Sequence, residues 1–180
     1  EFMQLRETSI PGLVEIFPRI FKDDRGVFFE SYNESWFAEK GLPTNFVQDN
    51  QSFSLKGVVR GLHFQNAPFA QGKLVRVISG SVMDVVVDVR PDSPTFGKHE
   101  TFILKSELNN IVYVPEGFAH GFVALEDSVF SYKCTNLYHK ESESGILWND
   151  ADLGIDWGVE NPIVSEKDMI LPTFKALFSK

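Results

Sequence analysis

The sequence predicts a mainly β fold, an antiparallel sandwich or barrel with a few short helices, mostly near the C-terminus. Three observations predict it. Short stretches of alternating or β-branched residues recur at close spacing, turn residues separate them, and helical periodicity is scarce. Seventeen phenylalanines and nine prolines point the same way, since aromatics suit pleated surfaces and proline suits turns.

Strands are expected over residues 14–20, 26–32 and 52–60, each rich in β-branched or aromatic side chains. Before the third, residues 33–40 open on Asn33, a capping residue, and end just before Gly41, so a short helix fits there. Residues 74–78 and 81–89 give the clearest strand signal, and Gly80 between them predicts a hairpin turn. In the second of these, Val85, Val87 and Val89 share one face while Asp84, Val86 and Asp88 share the other. Strands over 98–104, 110–114, 120–124 and 129–135 complete the body. Ser165-Glu166-Lys167-Asp168 ahead of an apolar stretch resembles a capping box and starts a short helix. No repeat, low-complexity tract or linker divides the chain, so residues 3–180 are expected to form one domain. Glu1-Phe2 ahead of Met3 reads as a cloning scar.

Hydrophobic content of 43% and charged content of 23% are ordinary for a soluble protein. A net charge of −8 without any basic stripe argues against nucleic acid as a partner, so an anionic ligand must be met by locally clustered cations. No apolar run has the length of a membrane span, and no membrane partner is expected. The lone Cys134 excludes an intramolecular disulfide and reads as a buried, inert thiol in a reducing, cytoplasmic compartment.

The chemistry concentrates between Lys56 and Leu74, where Arg60, His63 and Lys73 lie on or beside glycine-punctuated strand sequence. Such a trio on rigid strands suits an anionic, carbonyl-bearing ligand. A strand histidine is more often a satisfied core residue, but Gly61 would let a ligand or backbone come close to His63. Simple alternation puts Arg60 and His63 on opposite faces. If both serve one pocket, a bulge near Gly61 must re-aim one of them. Arg60 can hold a diphosphate bidentately or pair with Asp84 or Asp88. Lys73 is either a surface ion-pair residue or an ammonium that steadies negative charge on an oxygen. Tyr132 and Tyr138, six apart, would share a face of one regular strand, as core tyrosines or as a proton donor and a stacking platform. In the Pro115-Glu116-Gly117-Phe118-Ala119-His120 turn and strand, His120 is a second candidate imidazole with Asp84 as its orienting carboxylate, while His99 and His139 are expected to be exposed. Gln65 stands two after His63, where a metal-holding barrel would want a second histidine, so no metal is expected.

Many blocks of the chain resemble the dTDP-4-dehydrorhamnose 3,5-epimerase family, whose fold is a cupin-type double-stranded β-helix, or jelly roll. The matching blocks are Phe21-Lys22-Asp23-Asp24-Arg25-Gly26 with Glu30, Gln48-Asp49-Asn50, Arg60-Gly61-Leu62-His63-Phe64-Gln65 and Gln71-Gly72-Lys73-Leu74-Val75-Arg76. They continue through Asp84, Ser93-Pro94-Thr95-Phe96-Gly97-Lys98, residues 115–121, Tyr132-Lys133, Tyr138, Glu143, Trp148-Asn149-Asp150 and the segment from Ser165 to Asp168. The resemblance implies metal-free, cofactor-free epimerisation of dTDP-4-dehydro-6-deoxy-D-glucose at C3 and C5, through enolates, to dTDP-4-dehydro-L-rhamnose for dTDP-L-rhamnose biosynthesis. It implies that His63 is the base with Asp168 as its carboxylate partner, that Lys73 stabilises the enolate oxygen, and that Tyr132 returns a proton from the opposite face. It also implies that Arg60 and Lys167 contact the nucleotide sugar, that Tyr138 stacks on thymine, and that Arg25, Glu30, Gln48, Asn50, His120 and Glu143 line the rest. A homodimer whose sites are completed by the neighbouring subunit is implied as well. Gln51 and Cys134 depart from the family's common histidine and threonine without touching a proton-transfer group. Relatives that invert a single centre, and a sugar-nucleotide-binding cupin without turnover, are the competing readings; retention of Tyr132 favours the double epimerase.

Overall fold

The computed structural model describes residues 3–179, so the Glu1-Phe2 pair read as a cloning scar lies outside the described residues. The chain runs β1 (Met3–Glu7), β2 (Val14–Pro18), β3 (Phe21–Asp23), β4 (Gly26–Phe28), α1 (Glu34–Glu39), β5 (Gln48–Ser54) and β6 (Val59–Gln65). It continues as β7 (Lys73–Ser79), β8 (Ser81–Asp88), β9 (His99–Lys105), β10 (Ile111–Val114), β11 (Phe118–Ala124), β12 (Ser128–Cys134), β13 (Glu143–Gly145), α2 (Glu166–Met169) and α3 (Phe174–Phe178). A six-stranded sheet, β1-β2-β10-β7-β12-β5, faces a five-stranded sheet, β13-β6-β11-β8-β9, and β3 and β4 form a separate two-stranded ribbon. All pairings between these strands are antiparallel. This is the mainly β, jelly-roll class expected.

Alternation explains how each strand serves two layers. Val75, Val77, Val112, Val114 and Phe130 of one sheet meet Val82, Val86, Phe102, Leu104, Phe118 and Phe122 of the other in the central core. The residues between them point outward: Val85, Val87 and Val89 join Val59, Leu62, Ala119 and Val123 beneath Ile146, Leu153 and Trp157. The two-faced reading of residues 81–89 therefore holds. On the far side of the six-stranded sheet, Val14, Ile16, Leu74, Ile111 and Tyr113 are covered by Phe37 of α1. That helix begins as its sequence dictates, with the Asn33 side chain accepting the Trp36 N–H at 2.9 Å.

Five local expectations are corrected. The segments flanking Gly80 do not form a hairpin, because β7 lies in the six-stranded sheet and β8 in the five-stranded one. Gly80, at φ +91°, is a corner pressed against the next turn, where an added Cβ would lie 2.5 Å from the Asp127 carbonyl oxygen. The strand expected over 52–60 is broken in the same way, since β5 and β6 belong to different sheets and Gly57 at φ +90° turns the chain between them. The strand expected over 26–32 ends at Phe28, within the small ribbon. Tyr138 lies beyond the end of β12, so it does not share a strand face with Tyr132. His99 and His139 are half-buried rather than exposed, and His139 stacks on Phe69 at 3.7 Å between ring centres. Among the described residues no helix is long and apolar enough to cross a membrane.

Candidate active site

The site is built around a misfit in one ladder. Between β6 and β11, His63 pairs with His120 and Arg60 with Phe122, so three steps on one strand match two on the other. The extra residue is a bulge at Gly61-Leu62. Its consequence is the one the strand period demanded. Arg60 and His63 line the same cavity, while Val59 and Leu62 both turn to the core on the outer side. Gly61 sits at φ +124°, and a Cβ there would lie 2.7 Å from the Cα of Gly121, so the two glycines let the backbones touch.

Asp168 reaches this bulge from α2. The Ser165 hydroxyl accepts the Asp168 backbone N–H at 3.1 Å, which caps the helix and leaves the Asp168 carboxylate free to face the sheet. One carboxylate oxygen is 2.7 Å from His63 Nε2, and the other accepts the Gly61 N–H at 3.1 Å. Burial alone would raise the Asp168 pKa, but the His63 hydrogen bond and charge, the Gly61 amide and the Lys167 charge outweigh it and hold the carboxyl below its ordinary value. With Nε2–H donated to Asp168, the His63 ring carries its lone pair on Nδ1.

A second imidazole–carboxylate pair lies alongside. His120 Nε2 is 2.6 Å from Asp84 Oδ1, and both residues are buried. Asp84 Oδ2 has no hydrogen-bond partner among the described residues. From the opposite sheet come Lys73 and Tyr132, with the ammonium 5.5 Å from the centre of the phenol ring. Burial lowers the Lys73 pKa, opposed by the charges of Cys134, Asp84 and Glu143. Burial also raises the Tyr132 pKa, partly offset by Asn50 and the Arg60 charge, so the phenol keeps its proton.

These groups surround one cavity of about 320 Å³ lined by His63, Asp168, Lys73, Tyr132, Arg60, His120, Asn50 and Lys167, with Phe122 and Phe130 as its apolar wall. A smaller recess shares Asn50, His63, Lys73 and Tyr132 and adds Gln48, Tyr138 and Glu143. At its rim Glu143 accepts the Tyr138 hydroxyl at 2.5 Å and the Lys167 ammonium at 3.2 Å. Burial pushes Glu143 up, but Tyr138 and Lys167 bring it below its ordinary value. Arg60 pairs with neither Asp84 nor Asp88; it donates to Ser54 Oγ at 2.9 Å and to the Phe53 carbonyl at 3.2 Å. Arg25 and Glu30 are the two sequence candidates that line neither recess. Arg25 sits on the β3–β4 ribbon, exposed and paired with Asp23, and Glu30 accepts from Asn33 at 3.4 Å. Ser165, Ser52, Phe122 and Phe130 line the cavity without having been singled out for it. Only Ser165 had a local signal, its place at a helix start. Among the described residues no group of three His, Cys, Asp or Glu side chains is arranged to hold a metal ion.

A family model described as dTDP-4-dehydrorhamnose 3,5-epimerase matches residues 7–176. The chain belongs to this family. It is 51% identical to the dTDP-4-dehydrorhamnose 3,5-epimerase of Methanothermobacter thermautotrophicus over 166 residues, covering 90% of this chain and 89% of that protein. Among solved structures, the epimerase of Elizabethkingia anophelis superposes with a TM-score of 0.93 at 48% identity, covering 98% of each chain. The dTDP-6-deoxy-D-glucose-3,5-epimerase of Legionella pneumophila, solved in complex with dTDP-4-keto-L-rhamnose, gives a TM-score of 0.91 at 45% identity over 95% of this chain and 92% of that one.

Proposed function

We propose that this chain, acting through residues 3–180 as one domain, inverts C3 and C5 of dTDP-4-dehydro-6-deoxy-D-glucose to give dTDP-4-dehydro-L-rhamnose. The observation that carries the reading is the shared cavity: the His63 imidazole and the Tyr132 phenol, borne by opposite sheets, line one space together with the Lys73 ammonium.

Both protons to be moved lie next to the C4 ketone, so removing either leaves an enolate with its charge largely on O4. His63, its Nε2–H donated to Asp168, takes the proton on Nδ1, and the carboxylate steadies the imidazolium that forms. Lys73 meets the developing charge on O4, and its partly desolvated setting strengthens that attraction. Tyr132 then delivers its proton to the other face of the carbon, which inverts the centre. Its raised pKa suits it to arrive at the reaction protonated.

The nucleotide half follows from the rim. Arg60 and Lys167 meet the diphosphate, Tyr138 stacks on thymine, and Gln48, Asn50, His120 and Glu143 complete the lining. Arg25 and Glu30 serve a neighbouring copy in a homodimer. The exposed ribbon that carries Arg25 supports this, since it also presents Phe21, Val27 and Phe28 at 40%, 53% and 67% exposure. A buried, unpaired thiol at Cys134 and a sugar-nucleotide substrate fit a cytoplasmic enzyme. The test is turnover of the keto-sugar in deuterated water followed by NMR. Label at both C3 and C5 of an inverted product is expected. Label at one position makes the chain a single-centre epimerase, and label at neither refutes the reading.

A further inference from the structure

The mechanism above leaves unused a buried carboxylate bonded to a residue of the cavity. Asp84 projects from β8 into the interior, is fully buried, and spends one oxygen on His120 while the other has no partner among the described residues. An isolated carboxylate in such a place is costly unless a cation answers it. The Lys73 ammonium is among the groups whose charge acts on this carboxylate. It stands on β7 in the facing sheet and lines the same cavity as His120, the residue that holds Asp84.

We propose that Asp84 is a positioning residue whose buried carboxylate supplies the counter-charge for the Lys73 ammonium, held in place by its hydrogen bond to His120. The inference deepens the proposed function and rests on it, because Lys73 matters only if an enolate oxygen forms beside it.

The argument is one of charge balance. Burial drives Lys73 and Asp84 toward their neutral forms from opposite sides, and each resists through the charge of the other. Together they are neutral overall, so the cavity can carry a cation for the enolate without burying a net charge. When negative charge builds on O4, Lys73 is already protonated and need not draw a proton from the reaction. The His120 hydrogen bond engages Oδ1 and leaves Oδ2 for the ammonium's field. The other groups around Lys73 are His63 and Arg60 of β6, Tyr132 and Cys134 of β12, Glu143 of β13, and Lys167 and Asp168 of α2. The thiol of Cys134 is pushed up to about 11 by burial, so it stays neutral near pH 7. The Asp168 carboxylate is committed to His63 and Gly61, and Glu143 to Tyr138 and Lys167. Asp84 is the carboxylate without a second commitment.

The test uses the full chain with Asp84→Asn, which keeps an acceptor for His120 and removes the charge. The Lys73 ammonium is followed by NMR of carbon-labelled lysine, its signal assigned by its loss in Lys73→Gln. The inference expects the Lys73 titration to move down by about one pH unit or more in Asp84→Asn. It also expects kcat to fall about tenfold, with the alkaline limb of its pH profile moving the same way. Binding of dTDP, which lacks the sugar, should stay within about twofold, because its contacts lie at the rim. An unmoved Lys73 titration in a folded Asp84→Asn protein overturns the inference, whatever happens to kcat. If that variant fails to fold, a second variant decides: removing the His120 anchor in His120→Gln must shift the Lys73 titration, and no shift overturns the inference. Wild-type protein that never labels the keto-sugar would instead defeat the functional reading, leaving the Lys73 titration to stand by itself.

Discussion

Two imidazole–carboxylate pairs have their imidazoles on neighbouring strands of one sheet, and the protein treats them differently. In His63–Asp168 the imidazole is 35% exposed toward the cavity and both carboxylate oxygens are engaged, one by the ring and one by the bulge amide. In His120–Asp84 the imidazole is only 7% exposed, the carboxylate is fully buried and one oxygen is left over. The first arrangement suits a base, since a carboxylate held at both oxygens fixes the ring and leaves its other nitrogen for substrate. The second suits a charge reservoir, because a buried oxygen without a partner acts through its field. Residue identity is the same in both pairs; burial and the remaining hydrogen bonds divide the labour.

The largest way to break this contrast is to remove each imidazole in turn. His63→Ala should lower kcat by roughly 10³-fold or more, whereas His120→Gln should lose only about tenfold, in a steady-state assay of keto-sugar turnover. Equal losses would erase the distinction. Tyr132→Phe should follow, with kcat down about 10²-fold and dTDP affinity, measured by calorimetry, unchanged. Gly121→Ala probes the bulge that orients the first pair. Its new Cβ would lie 2.5 Å from the Arg60 carbonyl oxygen, so the bulge must shift. We expect about 2–3 kcal/mol lost in denaturant unfolding, together with lower activity from a displaced Gly61 amide.

A third buried carboxylate, Asp88, sharpens the comparison because no imidazole touches it. Burial pushes its pKa up, but Arg90, Ser93 and Thr95 more than compensate and bring it to about 2. A depressed carboxylate contributes stability that is present above its unfolded value near 3.8 and is lost as pH falls through about 2. Asp88→Asn should therefore cost about 2 kcal/mol at pH 7, and the cost should shrink as the pH falls from 4 to 2, read by thermal unfolding. This is the smallest of the four effects, and it should leave kcat untouched.

The local features of the fold were legible in the sequence where alternation alone decides them, as in residues 81–89 and in the helix capped by Asn33. Gly80 misleads because a glycine corner between two strands looks the same whether the chain returns to the same sheet or crosses to the other, and the strand expected over 52–60 runs through Gly57 without marking a turn there. The site was legible on β6, where the spacing of Arg60 and His63 demanded a bulge that the structure has. Asp168, 105 residues from His63, could not be paired with it by any local pattern; family resemblance supplied that link. The unpartnered oxygen of Asp84 was equally invisible, since satisfaction of a buried atom depends on every neighbour in three dimensions. Arg25 and Glu30 match the family pattern yet lie away from the cavity of their own chain.

The central claim is that one imidazole begins both inversions from inside a cavity it shares with an opposed phenol. Deuterium wash-in at C3 and C5 of the keto-sugar, followed by NMR in His63→Asn beside wild type, tests it most directly. The account predicts that both positions stay protonated in the variant while wild type labels both. Label entering either carbon of the His63→Asn reaction at the wild-type rate would contradict it.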